Sequence, residues 1–318
     1  MLFLGVDGGQ TATVALIADE TGCVLGSGEA GPCNHVQGAG GREKFIAAVR
    51  ESLEEACRQA GVAPEFAAAC LGFSGGPDDK EALVREILSV EKLLVTDDAT
   101  IALTGASALT GAVGRQPGIV TIAGTGSISC GRNAAGRRAR AGGWGYVFGD
   151  EGSGFDLVRQ ALRAALRFEE GWGPQTALRV MLLTQTGART ANELMHRFYT
   201  TDFPRSRIAA LAPCINDAAA QGDVLAIELL HAAAGQLAMI TAAVRGQLFT
   251  AREPVRVSWM GGVFRSERVR ERFHTLVELE DGCTAGPAAQ RPAVGALMEA
   301  FELAGLAVEP TNVPSPMP

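Results

Sequence analysis

The sequence carries little charge and no run of one sign. Charged residues make up 20%, and 35 acidic side chains outnumber 28 basic ones for a net charge of −7. Without a basic stretch, nucleic acid and an anionic membrane surface are not expected partners. A phosphate ligand stays possible, because backbone N–H groups bind anions locally. The seven cysteines, Cys23, Cys33, Cys57, Cys70, Cys130, Cys214 and Cys283, are odd in number and widely spaced. They contain no C-x-x-C and form no metal-like cluster with His35, His196, His231 or His274. Free thiols in a reducing compartment are the plain expectation. No basic leader precedes the first apolar run, and no uninterrupted apolar stretch nears the ~20 residues of a membrane span. A cytoplasmic location follows as the expectation. No period of ~20–50 residues is visible, which excludes a solenoid.

What the sequence does contain is length, apolar mass and glycine. At 318 residues the chain exceeds the ~250–300 at which single cores stop growing, so two domains are expected. Hydrophobic residues make up 47%, and 40 glycines point to many tight turns or close backbone approaches. The first third reads as α/β. Residues 2–6, 13–18 and 24–29 are strand-like and separated by turn signals. A helix is expected over 42–60, where Phe45, Val49, Leu53 and Ala56 share one stripe and Gly61 stops it. A strand over 67–73, a helix over 78–88, a strand over 93–95 and a helix over 99–112 complete this part. The opening pattern then recurs. Strands are expected at 118–123 and 128–133, with a third near Arg138, and a helix follows Asp150. Helices dominate from 155 to 249, with a strong one over 224–248. Strands are expected at 255–260 and 277–279, a last helix at 292–306, and a loose proline-rich tail from 310.

Two glycine hairpins carry the first chemical signal. Asp7-Gly8-Gly9-Gln10-Thr11 lies between two strands, which excludes the dinucleotide and P-loop arrangements that need a helix next. Its glycines let backbone N–H groups approach an anion, Thr11 adds a hydroxyl, and Asp7 could hold a hydrated Mg2+. An ordinary Asp-Gly hairpin would look the same. Gly124-Thr125-Gly126-Ser127 is a second hairpin of this kind at the matching place in the second half. The pair implies a nucleotide gripped from two sides.

Transfer of a phosphoryl group to an alcohol needs a carboxylate to orient the hydroxyl and take its proton. Thr96-Asp97-Asp98-Ala99 offers one at a strand end. Asp98 is the candidate, and Asp97 reads as a helix cap or metal-shell residue; the plain alternative is that one aspartate serves only as the cap. The stretch from Gly142 to Ser153 clusters glycines around Trp144, Tyr146, Phe148, Asp150 and Glu151. There Asp150 could accept sugar hydroxyls while Trp144 supplies a flat wall, or the segment could simply cap the next helix. Gly261-Gly262 ends a late strand and would let an adenine lie flat on backbone. Asn34 and His35 sit in a loop over 31–41 that is longer than a hairpin needs, and His35 is given no catalytic role.

In order and spacing these motifs resemble the N-acetylglucosamine kinases and, more broadly, the BadF/BadG/BcrA/BcrD ATPase family of the actin/hexokinase/Hsp70 superfamily. The resemblance spans about residues 2–300. It implies an α/β, duplicated RNase H-like (actin-like ATPase) fold with two lobes and a central nucleotide cleft. The lobes would cover 1–115 and 116–318, the second with a helical insertion and a final helix able to pack back on the first. It further implies ATP-dependent phosphorylation of the 6-hydroxyl of an amino sugar such as N-acetylglucosamine, glucosamine or N-acetylmuramic acid, with Mg2+ as cofactor. ATP would meet Asp7, Gly8, Gly9, Gln10, Thr11, Gly124, Thr125, Gly126, Ser127, Gly261, Gly262 and Ser266. The sugar would meet Asn34, Asp98, Gly143, Trp144, Gly145 and Asp150, with Asp98 as base. A homodimer is the usual state of such kinases. The family also holds dehydratase activators, which bind an iron–sulfur cluster through cysteines, an arrangement not obvious here. Sugar-sensing regulators of this fold usually add a DNA-binding module, for which an acidic chain opening at its first strand leaves no room.

Overall fold

A computed structural model describes residues 1–34, 36–108, 115–201 and 203–315. Strands β1 (Leu2–Gly8), β2 (Thr13–Asp19) and β3 (Val24–Ala30) are followed by α1 (Gly41–Ala60), β4 (Ala68–Phe73), α2 (Glu81–Ile87), β5 (Lys92–Asp97) and α3 (Asp98–Ala106). Then come β6 (Gly118–Ala123), β7 (Ser127–Arg132), β8 (Arg138–Gly142), α4 (Gly154–Glu169), α5 (Leu178–Thr186), α6 (Ala191–Arg197), α7 (Arg205–Ala209), α8 (Pro213–Ala220) and α9 (Val224–Leu248). The chain closes with β9 (Val255–Met260), a 3-10 turn (Gly262–Arg265), α10 (Glu267–Glu278), β10 (Cys283–Pro287) and α11 (Pro292–Leu303).

Two compact units result. The first comprises Met1–Gly118, Arg132–Gly136 and Ala288–Pro318, and the second Ile119–Gly131 and Arg137–Pro287. In the first unit the sheet order is β3-β2-β1-β4-β5. The β1–β2 and β2–β3 pairs are antiparallel, and β1–β4 and β4–β5 are parallel. In the second unit the order, read from its hairpin edge, is β8-β7-β6-β9-β10, with β6–β9 and β9–β10 parallel. Both sheets therefore follow one rule: third, second, first, fourth, fifth strand.

Each face of the first sheet is covered because its strands are apolar on both sides. Phe45, Val49 and Leu53 of α1 and Val84 of α2 pack with Val6, Leu71 and Phe73 on one face. Ile101 of α3 and Val294, Leu297 and Phe301 of α11 pack with Phe3, Leu16 and Cys70 on the other. Each fully buried Phe or Leu contributes roughly 1.5–3 kcal/mol, and the Phe3 and Phe301 rings meet at 4.9 Å between centroids. The buried Glu299 of α11 is satisfied by Thr104 of α3 and by Arg115. The second unit is built around α4 and α9, with Val158, Leu162, Leu230, Leu237 and Val244 sharing one core with Val257 and Trp259 of β9.

Among the described residues, α9 alone has the length and apolar composition of a membrane-crossing helix. Glu228 and Arg245 break its run in sequence, and Leu230, Ala234, Leu237, Val244 and Leu248 turn into the core of the second unit.

Two sequence expectations differ from the structure. Residues 277–279 are not a strand: Val269, Phe273 and Val277 form one buried helical stripe of α10, and the alternation Val-Glu-Leu is its end. The late strand is β10. The tail is not loose at its start, because Thr311 bridges Cys23 and Asn312 donates to the Val24 carbonyl at 2.9 Å. The expected helix over 99–112 starts at Asp98 and already ends at Ala106, capped by Ser107; residues 109–112 lie outside the described ones, as does His35.

The contact between α3 and α11 leaves no space for a side chain at Gly295. A Cβ there would overlap the Ile101 carbonyl oxygen and lie 2.6 Å from the Gly105 nitrogen, both rigid helix backbone. Gly295→Ala should therefore destabilise the protein by about 3 kcal/mol or more. A urea unfolding curve checks this, and an unchanged midpoint would exclude so close an approach.

Candidate active site

The site of the first unit is set by strand register. The parallel strands β1, β4 and β5 align Gly8 with Phe73 and Phe73 with Asp97, so their carboxyl ends lie side by side. Open sheets bind ligands at this edge. The β1–β2 turn is closed by Gly9 donating to the Ala12 carbonyl at 2.9 Å, which leaves Gln10 and Thr11 at the tip. Gly8 cannot carry a side chain, since a Cβ would sit 2.6 Å from Cys33 Sγ and overlap the Phe73 ring.

The two aspartates after β5 divide their work. Asp97 caps α3, accepting from Thr100 N at 2.7 Å and from Thr100 Oγ1 at 2.8 Å. Asp98 is thereby left free of the capping role, and Ser74 Oγ donates to its Oδ2 at 2.6 Å. Burial pushes the Asp98 carboxyl above the usual carboxylate range, the Asp97 charge adds to this, and the Ser74 hydrogen bond opposes it. Asp7 is pushed up to about 7, first by burial and then by the charge of Asp98, with Arg291 acting the other way. Burial in turn lowers the Arg291 pKa. Its Nε and Nη2 are buried without a hydrogen-bond partner among the described residues. Asn34 accepts from Lys44 Nζ at 3.1 Å. As a hard oxygen donor, Asp7 suits Mg2+, which binds through one or two carboxylates with waters and phosphates.

In the second unit the β6–β7 turn is closed by Gly124 donating to the Gly126 carbonyl at 2.9 Å, with Thr125 at its tip. The glycine-rich loop folds onto this turn. Gly143 N donates to the Ser127 carbonyl at 2.9 Å, Ser127 Oγ to the Glu151 carbonyl at 2.7 Å, and Ser127 N to Asp150 Oδ1 at 3.2 Å. Asp150 is buried and has a φ of 65°, a region that non-glycine residues occupy rarely. Its Oδ2 accepts from Arg205 at 2.8 Å. A Cβ on Gly126 would come 2.9 Å from that carboxylate, so glycine is needed there. Ser153, not Asp150, caps α4. Trp144 is 66% exposed rather than a core residue, with the Arg140 guanidinium 4.8 Å from its ring centroid, and Gly145 opens the short turn closed by Gly149. Gly261 follows β9 beside Ala123 of β6, and Gly262 begins the 3-10 turn. Ser266 is buried and caps α10.

The structure thus brings Asp7, Asp98 and the first hairpin together in one unit, and the second hairpin, Gly143 and Asp150 together in the other. Sequence reasoning passed over Ser74, Arg205 and Arg291. Ser74 was legible only as a turn residue, and Arg205 lies far from Asp150 along the chain, in a helical stretch with no motif.

The repeated strand order and helical flanks define a two-lobed, duplicated actin-like ATPase fold. A ROK family glucokinase from Streptomyces griseus shares it at a TM-score of 0.61 and 19% identity, with 95% of this chain and 100% of that one covered. More particularly, residues 4–300 match the BadF/BadG/BcrA/BcrD ATPase family, and the chain belongs to that family. It is 32% identical over 269 residues to the N-acetylmuramic acid/N-acetylglucosamine kinase of Clostridium acetobutylicum, covering 83% of this chain and 85% of that one. It is 30% identical over 251 residues to the N-acetyl-D-glucosamine kinase of Dictyostelium discoideum, covering 74% and 76%. A Chromobacterium violaceum structure named as a candidate N-acetylglucosamine kinase matches at a TM-score of 0.76 and 28% identity, over 93% of this chain and 98% of that one.

The Asp7 environment generates a stability prediction. Its folded pKa of about 7 lies above the unfolded value of 3.8, so folding favours the protonated acid. Stability from this group is full below about pH 4 and is lost as pH rises toward 7. Asp7→Asn removes that loss. The nucleotide-free variant should unfold at higher temperature than wild type at pH 8, by a free energy on the order of 4 kcal/mol at full ionisation, with the gap closing by pH 4. Melting curves across this range check it, and parallel pH profiles would refute the environment described for Asp7.

Proposed function

We propose that the protein is an ATP-dependent kinase that phosphorylates the 6-hydroxyl of an amino sugar, N-acetylglucosamine or a near relative such as glucosamine or N-acetylmuramic acid. The observation that carries this reading is the state of Asp98. It is half-buried, fixed by Ser74, relieved of helix capping by Asp97, and raised in pKa so that its carboxylate is a stronger base. The named activities of the Clostridium and Dictyostelium relatives support the sugar class.

In the proposed reaction the sugar 6-hydroxyl gives its proton to Asp98. The oxygen lone pair forms a bond to the γ-phosphorus of ATP, the bond from that phosphorus to the β–γ bridging oxygen breaks, and ADP leaves with the electron pair. The hairpins Gly8–Thr11 and Gly124–Ser127 would hold the phosphates, through the backbone N–H groups at their tips, Gln10, Thr11 and Thr125, and the hydroxyls of Thr11 and Thr125, while Gly9, Gly124 and Ser127 close the turns. Gly261, Gly262 and Ser266 would lie near the adenosine, Ser266 by shaping the start of α10. Asn34, Gly143, Trp144, Gly145 and Asp150 would orient the sugar. Asp7 would hold a hydrated Mg2+, whose charge offsets that of the phosphates.

The proposal includes a cytoplasmic homodimer that binds neither nucleic acid nor membrane. It is supported by the acidic net charge of −7 and by apolar side chains on the outer face of α9, among them Val224 and Met239.

Asp98→Asn should leave ATP binding within about two-fold and lower kcat by about 10²–10⁴. Coupled ADP release with N-acetylglucosamine, glucosamine and N-acetylmuramic acid tests both residue and sugar. A mutant turning over at the wild-type rate would remove Asp98 from the mechanism. ATP hydrolysis independent of every sugar would point to an activator ATPase instead.

A further inference from the structure

The Asp150 carboxylate does not stand alone. Arg205, the first residue of α7, donates from Nη2 to Asp150 Oδ2 at 2.8 Å, and Ser127 N donates to Oδ1 at 3.2 Å. The guanidinium carbon lies 4.6 Å from the Tyr146 ring centroid and 5.4 Å from that of Phe155. Those two rings meet edge to face at 5.2 Å. Its Nε is buried with no hydrogen-bond partner among the described residues. The cation is therefore held by two aromatic faces and directed at a single acceptor.

This is more than an ion pair between helix and loop. A buried carboxylate needs a compensating charge, and an arginine locked between rings supplies it in a fixed direction. An ionised carboxylate has about four acceptor sites, of which the two bonds above use two. The other two take no donor among the described residues, and sugar hydroxyls are donors. The positive φ of Asp150 and the missing side chain of Gly126 both serve to hold the carboxylate in this place.

We propose that Arg205 is a positioning residue for the acceptor sugar, acting through Asp150 and held by Tyr146 and Phe155. This rests on the reading of Asp150 as a sugar contact. Arg205 neutralises the Asp150 carboxylate and fixes the direction of its free lone pairs, and it does not itself touch ATP. Loss of Arg205 therefore weakens sugar binding without a matching effect on nucleotide binding. Lysine, which keeps the charge and one hydrogen bond but loses the planar stacking, restores only part of the function.

Steady-state kinetics with N-acetylglucosamine and ATP varied separately test this on Arg205→Met, Arg205→Lys, Asp150→Asn and the double variant Asp150→Asn/Arg205→Met. Arg205→Met should raise the sugar KM by about ten-fold or more and leave the ATP KM within about two-fold, with Arg205→Lys between it and wild type. The double variant should be no worse than Asp150→Asn, because Arg205 acts through that residue. If Arg205→Met changes the sugar KM less than two-fold while Asp150→Asn raises it, the role of Arg205 is refuted and that of Asp150 stands. If Asp150→Asn leaves the sugar KM unchanged, the reading of Asp150 falls and the proposal with it. Equal rises in the sugar and ATP KM values, or multiplying effects in the double variant, would show a general structural role and overturn the proposal. Should Arg205→Met fail to fold by circular dichroism, Arg205→Lys alone carries the test, and a sugar KM equal to wild type would overturn it.

Discussion

Two carboxylates share the carboxyl edge of the parallel strands β1, β4 and β5 in the first unit, and much of that unit serves to keep them there. Parallel pairing of β1, β4 and β5 aligns their ends, so Asp7, Ser74 and Asp98 follow from register rather than from local turn chemistry. The cost of burying two like charges is seen in their raised pKa values. Ser74 and Arg291 offset part of it. An edge kept at this expense is a place prepared for a positively charged or proton-bearing ligand.

The second unit solves a similar problem by different means. Its carboxylate, Asp150, comes from a loop and is paired within the same unit by Arg205. The first unit thus keeps acids whose charge is only partly offset, while the second keeps one whose charge is matched. The two environments suit different tasks: an underpaired acid can take up a proton, and a paired one is held in a fixed direction by its donors.

Much of this was legible in the sequence. The hairpin glycines, the Asp97-Asp98 pair and the limits of α9 are local signals, and local signals survive without tertiary information. The choice between the two aspartates was not local, because it depends on Asp97 reaching Thr100 and Ser74 arriving from β4. Arg205 was invisible for the same reason: its partner is on another element and its neighbours form no motif. The strand expected at 277–279 failed where three residues fitted both a period of two and the end of a helix, and burial against Phe273 and Trp259 decided for helix. Fold class and family were legible because they rest on the repeated order of elements, which single misplaced strands do not alter.

The first unit also takes its last helix from the far end of the chain. Helix α11 covers one face of a sheet whose first strand begins at Leu2, and Thr311 and Asn312 tie down the start of β3. During synthesis that face, which α3 covers only in part, therefore stays partly open until α11 has left the ribosome. The second unit, contained within Ile119–Pro287, has all its elements earlier. The sheet of the first unit is thus covered only after every element of the second has been made.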